Sequence, residues 1–246
     1  MKIYTNNIHK MSKIVDKEFK PNLIHPFYII RTGLFLGIFE NARYLKGKML
    51  DFGCGSKPYK NIFNVDEYIG LDFENTGHSH ENEQIDIFYD GLNIPFPNNS
   101  FDSILCSEVF EHLFNLEYTL KELNRVLKPG GHIVITCPFV WNEHEVPFDY
   151  ARYTLFSLSD LLERNNFKII KKEKIGNFIT TITQMIILYL NVTFIYKHSK
   201  IFPIRWFYKI FLVLIPNLIG LFLNIILPAN NSLYLNNLLV VQKNYE

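Results

Sequence analysis

Two carboxylates and two glycines carry the first recognisable chemistry in this chain. Asp51 opens the turn D-F-G-C-G, residues 51–55, and Asp72 closes the run E-Y-I-G-L-D roughly twenty residues later. Glycine adopts positive φ without strain and lets a ligand approach the main chain. Gly53 and Gly55, with Cys54 between them, therefore read as a ligand-cradling turn. An acid at the tip of the following strand can accept both hydroxyls of a ribose. Pro58 stands where a pyrophosphate-binding G-x-G-x-x-G would have its third glycine, and Asp51 before the turn disfavours phosphate. The pattern selects instead a nucleoside ligand with positive charge, whose α-amino group suits the Asp51 carboxylate.

The elements that must hold these residues follow from periodicity. Apolar runs at 48–51, 67–72, 85–88, 103–106, 132–136, 167–175 and 235–242 read as strands. Strand, glycine turn, helix, strand and acid form the first half of a Rossmann-like βαβ unit. Leu116, Leu120, Leu123 and Leu127 share one helical face over 115–127, and Gly130 of K-P-G-G is the expected cap at its end. Ser157 and Asp160 form an expected capping box for a helix reaching Arg164. Residues 28–44 read as a helix ahead of the first strand. Three segments result: an N-terminal helical arm, 1–47; a core, 48–175 with 235–246; and an apolar helical insertion, 176–234.

The motifs together resemble a known family. Asp51 to Gly55 followed by Asp72 resemble the first two motifs of class I S-adenosylmethionine (SAM)-dependent methyltransferases. The run D-G-L-N-I-P-F-P-N-N-S-F-D, residues 90–102, is similar to a D-a-x-x-L-P-F-x-x-x-x-F-D segment of the type 11 family, as are S-E-V-F-E-H-L at 107–113 and L-K-P-G-G at 127–131. The loop 138–154, P-F-V-W-N-E-H-E-V-P-F-D-Y-A-R-Y-T, resembles the H-E-x-P-x-D-x-x-R-[YF]-T segment of a subgroup often encoded among surface-polysaccharide genes. The resemblance covers about 48–175; residues 1–47 match loosely and the insertion departs from it.

This likeness implies an α/β seven-stranded sheet, mostly parallel with an antiparallel last strand, and SAM as cofactor. Asp51, Gly53, Cys54, Gly55, Asp72, Phe73, Asp90, Gly91 and Ser107 would bind it, Asp90 accepting from the adenine amino group. Glu111, Trp141, Asp149, Arg152 and Tyr153 would contact the acceptor. Methyl transfer to a hydroxyl needs a base, and His144 and His112 are the candidates because imidazole titrates near working pH, with Glu145 as a supporting carboxylate. The sequence does not rank the two histidines. The expected reaction is O-methylation of a sugar hydroxyl on a glycan or lipid-linked glycan. A lipid or quinone-like acceptor, and a non-catalytic SAM-binding role at the membrane, stay open. A nicotinamide oxidoreductase is disfavoured by Pro58 and Asp51. His78 and His80, in a polar loop, have no third ligand at fixed spacing, so no metal is expected.

Bulk properties narrow the partners. The chain has 246 residues and a net charge of +1, with no basic stripe for nucleic acid. Three cysteines, odd in number and without C-x-x-C, argue against a disulfide framework and fit a reducing cytoplasm. The charged N-terminus lacks the apolar core of a signal peptide. Within the insertion, 175–196 and 210–242 carry no charge, while Lys197, His198, Lys200, Arg205 and Lys209 lie between them. Three readings follow: a transmembrane hairpin, a helical pair lying on the inner face of the membrane, or a layer buried over the acceptor pocket or against a second copy.

Overall fold

The structure, a computed structural model, describes residues 19, 22–74, 83–195 and 206–245. The expected polar loop with His78 and His80, most of the arm before residue 22, and Lys197, His198, Lys200 and Arg205 lie outside these residues. The chain divides into two compact units, Gly37–Glu173 with Asn236–Glu246, and Met1–Leu36 with Lys174–Leu235.

The first unit is built on a seven-stranded sheet in the order β3-β2-β1-β4-β5-β7-β6. The strands are β1 (Lys48–Phe52), β2 (Glu67–Phe73), β3 (Ile87–Tyr89), β4 (Phe101–Ser107), β5 (Leu127–Pro138), β6 (Phe167–Ile175) and β7 (Asn236–Lys243). β1 to β5 pair in parallel and β7 runs antiparallel to β5. Central strands are covered on both faces, which is why they read as continuous apolar runs. Met49, Leu50, Ile104, Cys106, Ile133, Val134 and Ile135 are all fully buried. β6, at the sheet edge, instead carries Lys168, Lys171, Lys172 and Lys174, charges that discourage pairing with other chains. The third strand begins at Ile87 rather than at 85.

The helices of this unit are local solutions to capping and burial. The helix Leu116–Val126 is N-capped by Asn115, whose side chain accepts from the Tyr118 amide, and buries Leu116, Leu120 and Leu123. Burial of each such leucine contributes about 1.5–3 kcal/mol. The helix does not end on Gly130. Its cap is Leu127, already extended, and Gly130 (φ 75°) shapes an irregular start of β5, where the register jumps from Phe101↔Leu127 to Ser103↔His132. The helix Leu155–Arg164 likewise takes Thr154 as its cap, accepting from Ser157 N at 3.1 Å, instead of the Ser157–Asp160 box. The threonine stands one residue before the helix, where its oxygen can reach an orphan amide; Ser157 is already inside the first turn.

The second unit holds two apolar helical stretches. Phe178–Leu190 is capped by a reciprocal Asn177–Thr180 box. The other runs Trp206–Ile226, with a π-helical stretch at Lys209–Leu214 just before Pro216. Proline lacks the N–H for the regular ladder, and the wider turn absorbs that loss. The polar residues that interrupt the hydrophobicity are internal fasteners. Gln184 is fully buried, accepts from Ile30 N (3.2 Å) and donates to the Pro26 carbonyl (2.8 Å). Asn217, also fully buried, donates to the Leu23 carbonyl at 2.9 Å. Gly220 lies so close to Thr183 that an added Cβ would fall 2.3 Å from its methyl carbon.

Candidate active site

The sheet-bearing unit contains every sequence-derived site residue. The parallel strands bring the carboxyl ends of β1, β2, β3, β4 and β5 to one edge, where open α/β sheets bind ligands. At the end of β1 the chain turns through Gly53 (φ 72°) and Gly55 (φ 44°), and the Gly53 and Cys54 amides donate to the Leu71 carbonyl of β2. Gly53 is required twice over: its backbone is left-handed, and an added Cβ would lie 2.3 Å from Cγ2 of Val109. Asp72, at the end of β2, is buried; its Oδ2 accepts from Gly55 N (2.7 Å) and its Oδ1 from Phe73 N (2.8 Å). The acid is thus aimed into the glycine turn by backbone amides. Asp51 sits beneath the turn and accepts from the Tyr68 hydroxyl. Burial pushes its carboxyl up to about 7; the Tyr68 bond opposes this and Asp72 adds to it.

The β3 end adds Asp90 and Gly91. Asp90 is exposed, and its Oδ1 accepts from the Leu92 (2.8 Å) and Asn93 (3.0 Å) amides of its own turn. Gly91 (φ 80°) packs against the ring of Phe73, which leaves no room for a Cβ. Ser107 hydrogen-bonds the Thr136 hydroxyl across β4 and β5 at 2.9 Å.

A second cluster forms where the loop after β4 meets the loop after β5. The Tyr150 and Ala151 amides donate to the Glu111 carbonyl at 2.8 and 3.2 Å, stitching the two loops together. Glu111 is fully buried, and neither carboxylate oxygen has a hydrogen-bond partner. Burial, reinforced by the nearby Glu108, raises its pKa well above the usual carboxylate range. His112 Nε2 lies 3.7 Å and His144 Nε2 3.9 Å from Glu111 Oε1, with the two imidazoles edge to face at 4.8 Å. His112 Nδ1 meets the Phe148 carbonyl at 3.0 Å. His144 Nδ1 lies 3.4 Å from Asp149 Oδ2, and the His144 amide donates to the same oxygen at 3.1 Å. Burial and then the neighbouring His112 lower the pKa of His144.

Asp149 is held in turn by Arg152, at 2.5 Å to Oδ1 and 2.6 Å to Oδ2. Burial alone would raise the Asp149 pKa, but this paired contact and the His144 amide hold it at about 2. Arg152 also donates to the Asn142 carbonyl at 2.9 Å, so one guanidinium fastens both ends of the loop. Glu145 Oε2 is 3.8 Å from His112 Nε2. Trp141 and Tyr153 are half-buried, and the Tyr153 carbonyl accepts from Asn237 of β7. The structure therefore joins His112, His144, Glu111, Glu145, Asp149 and Arg152 in one connected cluster. Asp51, Gly53, Cys54, Gly55 and Asp72 form the other, and Val109 packs over Gly53 two residues before Glu111.

Residues 50–135 match a protein-family profile described as a methyltransferase domain, that of the type 11 family. The matched stretch is a class I SAM-dependent methyltransferase domain, and the rest of the chain lies outside the match. SAM is the methyl donor of that family. Among its relatives, the demethylmenaquinone methyltransferase of Staphylococcus saprophyticus is 36% identical over 99 residues, spanning 35% of this chain and 42% of that protein. The sterol 24-C-methyltransferase ERG6B of Gibberella zeae is 35% identical over 99 residues, 34% of this chain and 26% of that one. The match thus covers less than half the length of either relative. Among solved structures, the [4+2]-cyclase SpnF superposes with a TM-score of 0.55 at 16% identity, over 88% of this chain and 83% of that one. A phosphoethanolamine N-methyltransferase of Haemonchus contortus bound to SAM gives 0.51 at 18% identity, over 85% and 52%. These likenesses establish the fold.

Several residues of this site are not singled out by the sequence motifs. Tyr68 bonds Asp51 from the neighbouring strand. Lys57, almost wholly buried, pairs with Asp86 at 2.7 Å and braces the glycine turn against β2. Glu108 (φ 56°) accepts from Asn236 at 2.6 Å. The run E-Y-I-G-L-D that ends at Asp72 held a signal for Tyr68 only through strand register, Asp51 facing Gly70 and Met49 facing Tyr68. No local pattern marks Lys57 or Asn236.

Proposed function

We propose that this protein transfers the methyl group of SAM to a hydroxyl oxygen of a small-molecule or glycan acceptor, with a sugar hydroxyl on a glycan or lipid-linked glycan intermediate as the acceptor class. The observation that carries the reading is the Glu111–His112–His144 cluster in the loops after β4 and β5, close in sequence to the residue that packs on Gly53. Asp51, the 53–55 turn, Asp72 with Phe73, Asp90, Gly91 and Ser107 hold the cofactor. The acceptor binds against Trp141, Tyr153 and the Asp149–Arg152 pair, where half-buried aromatic faces suit sugar rings. SAM supplies an electrophilic methyl on sulfonium; the chain aligns the acceptor oxygen in line with it and receives the charge of the departing proton.

The sugar assignment is supported by the resemblance of loop 138–154, and the hydroxyl by the imidazole–carboxylate cluster. A second reading, a lipid or quinone-like acceptor, is favoured by the names of the quinone and sterol methyltransferase relatives. Transfer of labelled methyl from SAM to sugar nucleotides and lipid-linked glycans, set against demethylated quinones, separates them. His144→Ala is expected to abolish transfer while leaving SAM affinity within about twofold; loss of SAM binding would refute its acceptor-side role.

We also propose that the second unit lies on the cytoplasmic face of a membrane. Helix Trp206–Ile226 is long and apolar enough to cross a bilayer, and only 17% of its most apolar window is buried. Phe211, Ile219, Phe222 and Ile225 are exposed on it. An exposed apolar helix beside the cationic stretch 197–209 fits the headgroup boundary of an anionic bilayer. Flotation with anionic vesicles is expected, and a protein that ignores them and stays monomeric would refute the proposal.

A further inference from the structure

We propose that Glu111, His112 and His144 form a binding site for one divalent transition-metal ion of the zinc class. The argument is geometric. The three ligand-type atoms lie within 4.8 Å of one another, with His112 Nε2 at 3.7 Å and His144 Nε2 at 3.9 Å from Glu111 Oε1. A point equidistant from three atoms so separated lies roughly 2.0–2.5 Å from each, which brackets metal–nitrogen and metal–oxygen bond lengths. One proton cannot bridge three acceptors at such spacing.

The surroundings of each ligand point the same way. A histidine ligand is held by an acceptor on its other ring nitrogen, which fixes the tautomer and turns the lone pair to the ion. His112 has that arrangement, and His144 has a carboxylate in ion-pair range of its Nδ1 but no hydrogen bond there. His112 Nδ1 meets the Phe148 carbonyl at 3.0 Å, so its proton belongs on Nδ1. His144 Nδ1 faces Asp149 Oδ2 at 3.4 Å, and Arg152 fixes that carboxylate. His112 Nε2 is then left as a lone-pair donor on the side of Glu111, and His144 Nε2, on the same side, donates a lone pair in the tautomer that carries its proton toward Asp149. Glu111 is the independent observation. Its side chain is wholly buried and both its oxygens lack a donor. Such a group takes up a proton or meets a cation, because the bare buried charge costs several kcal/mol, and the two imidazole nitrogens beside it supply the further ligands a cation needs.

Two imidazoles and one carboxylate form a donor set that suits zinc, iron or cobalt and disfavours magnesium and calcium, which take oxygen ligands. Three protein ligands leave a fourth position open. On the methyl-transfer reading, the acceptor hydroxyl fills it. The hydroxyl proton passes to Glu145, the oxygen lone pair forms a bond to the SAM methyl carbon, and the carbon–sulfur bond breaks with its electrons left on sulfur. Methyl ether and S-adenosylhomocysteine result. Metal binding itself does not depend on this reading.

The test uses full-length protein stripped with chelator, titrated with Zn²⁺ by calorimetry and with Co²⁺ by visible absorption. One ion per chain is expected, with Co²⁺ bands of a four- or five-coordinate site. Glu111→Gln and His144→Ala should each weaken binding by about 100-fold, and Asp149→Asn by about tenfold. Glu111→Gln conserves shape and decides the matter if His144→Ala fails to fold. Absence of binding by the folded wild type, or binding unchanged in Glu111→Gln, overturns the proposal. SAM titration of the same samples separates the outcomes: SAM bound without metal removes only the metal site, and metal bound without SAM removes only the methyltransferase reading.

Discussion

On the proposed function, the raised pKa of Asp51 would make SAM binding sensitive to pH in a calculable way. Asp51 is 4% exposed, and burial brings its carboxyl to about 7 in the ligand-free protein, against the opposing Tyr68 hydrogen bond. At neutral pH roughly half the molecules therefore carry it uncharged. If Asp51 meets the ammonium of SAM, the bound ligand pulls its pKa down, and binding releases a proton. Affinity then rises with pH through about 7 and levels off above it. Protonation of the free site weakens binding about eightfold between pH 7.5 and pH 6.0. This window lies below the titration of a free α-amino group, about 7.7–8.0. Calorimetry in two buffers of different ionisation enthalpy should report close to half a proton released per SAM at pH 7. Asp51→Asn should bind more weakly at pH 7.5 and show neither proton release nor slope. A flat wild-type affinity, or the same slope in Asp51→Asn, would refute the reasoning. The linkage also runs to stability. The folded pKa lies above the unfolded one, so the protonated form is favoured in the fold, and wild type loses stability relative to Asp51→Asn as pH rises from about 4 to about 7, with no further loss above.

Two further predictions probe the scaffold of the cofactor turn. Gly53→Ala places a side chain at φ 72° and 2.3 Å from Val109 Cγ2; a loss of about 2–4 kcal/mol is expected in urea unfolding. Adding Val109→Ala should recover the overlap part of that loss but not the backbone part, and full recovery would show that φ strain is negligible. The Lys57–Asp86 pair should respond asymmetrically, because the side chains are 5% and 45% exposed. Asp86→Ala strands a buried ammonium and should cost about 3 kcal/mol, whereas Lys57→Met leaves Asp86 to water and should cost about 1 kcal/mol or less. Equal losses would contradict this account.

Asp51, Gly53, Gly55, Asp72 and the central apolar strands were legible because their signals are local. Positive φ favours glycine, an acid at a strand tip keeps a fixed distance from the turn before it, and a doubly covered strand is largely apolar. The seven-strand count and the leucine face of Leu116–Val126 followed from the same periodicities. Cap positions were less secure. Gly130 and the Ser157–Asp160 pair have the right composition, but Leu127 and Thr154 hold the helix ends, since the register of β5 and the single oxygen within reach of Ser157 N decided between equivalent local signals.

The sequence placed His112 and His144 as rival bases in separate loops and left Glu111 beside the acceptor. Only the tertiary structure made the three one cluster. Two amides, of Tyr150 and Ala151, meet the Glu111 carbonyl, and Arg152 ties Asp149 to Asn142; these contacts fold one loop onto the other. Which carboxylate then becomes buried without a donor depends on how two loop paths close, a property of three-dimensional packing that neither periodicity nor spacing encodes.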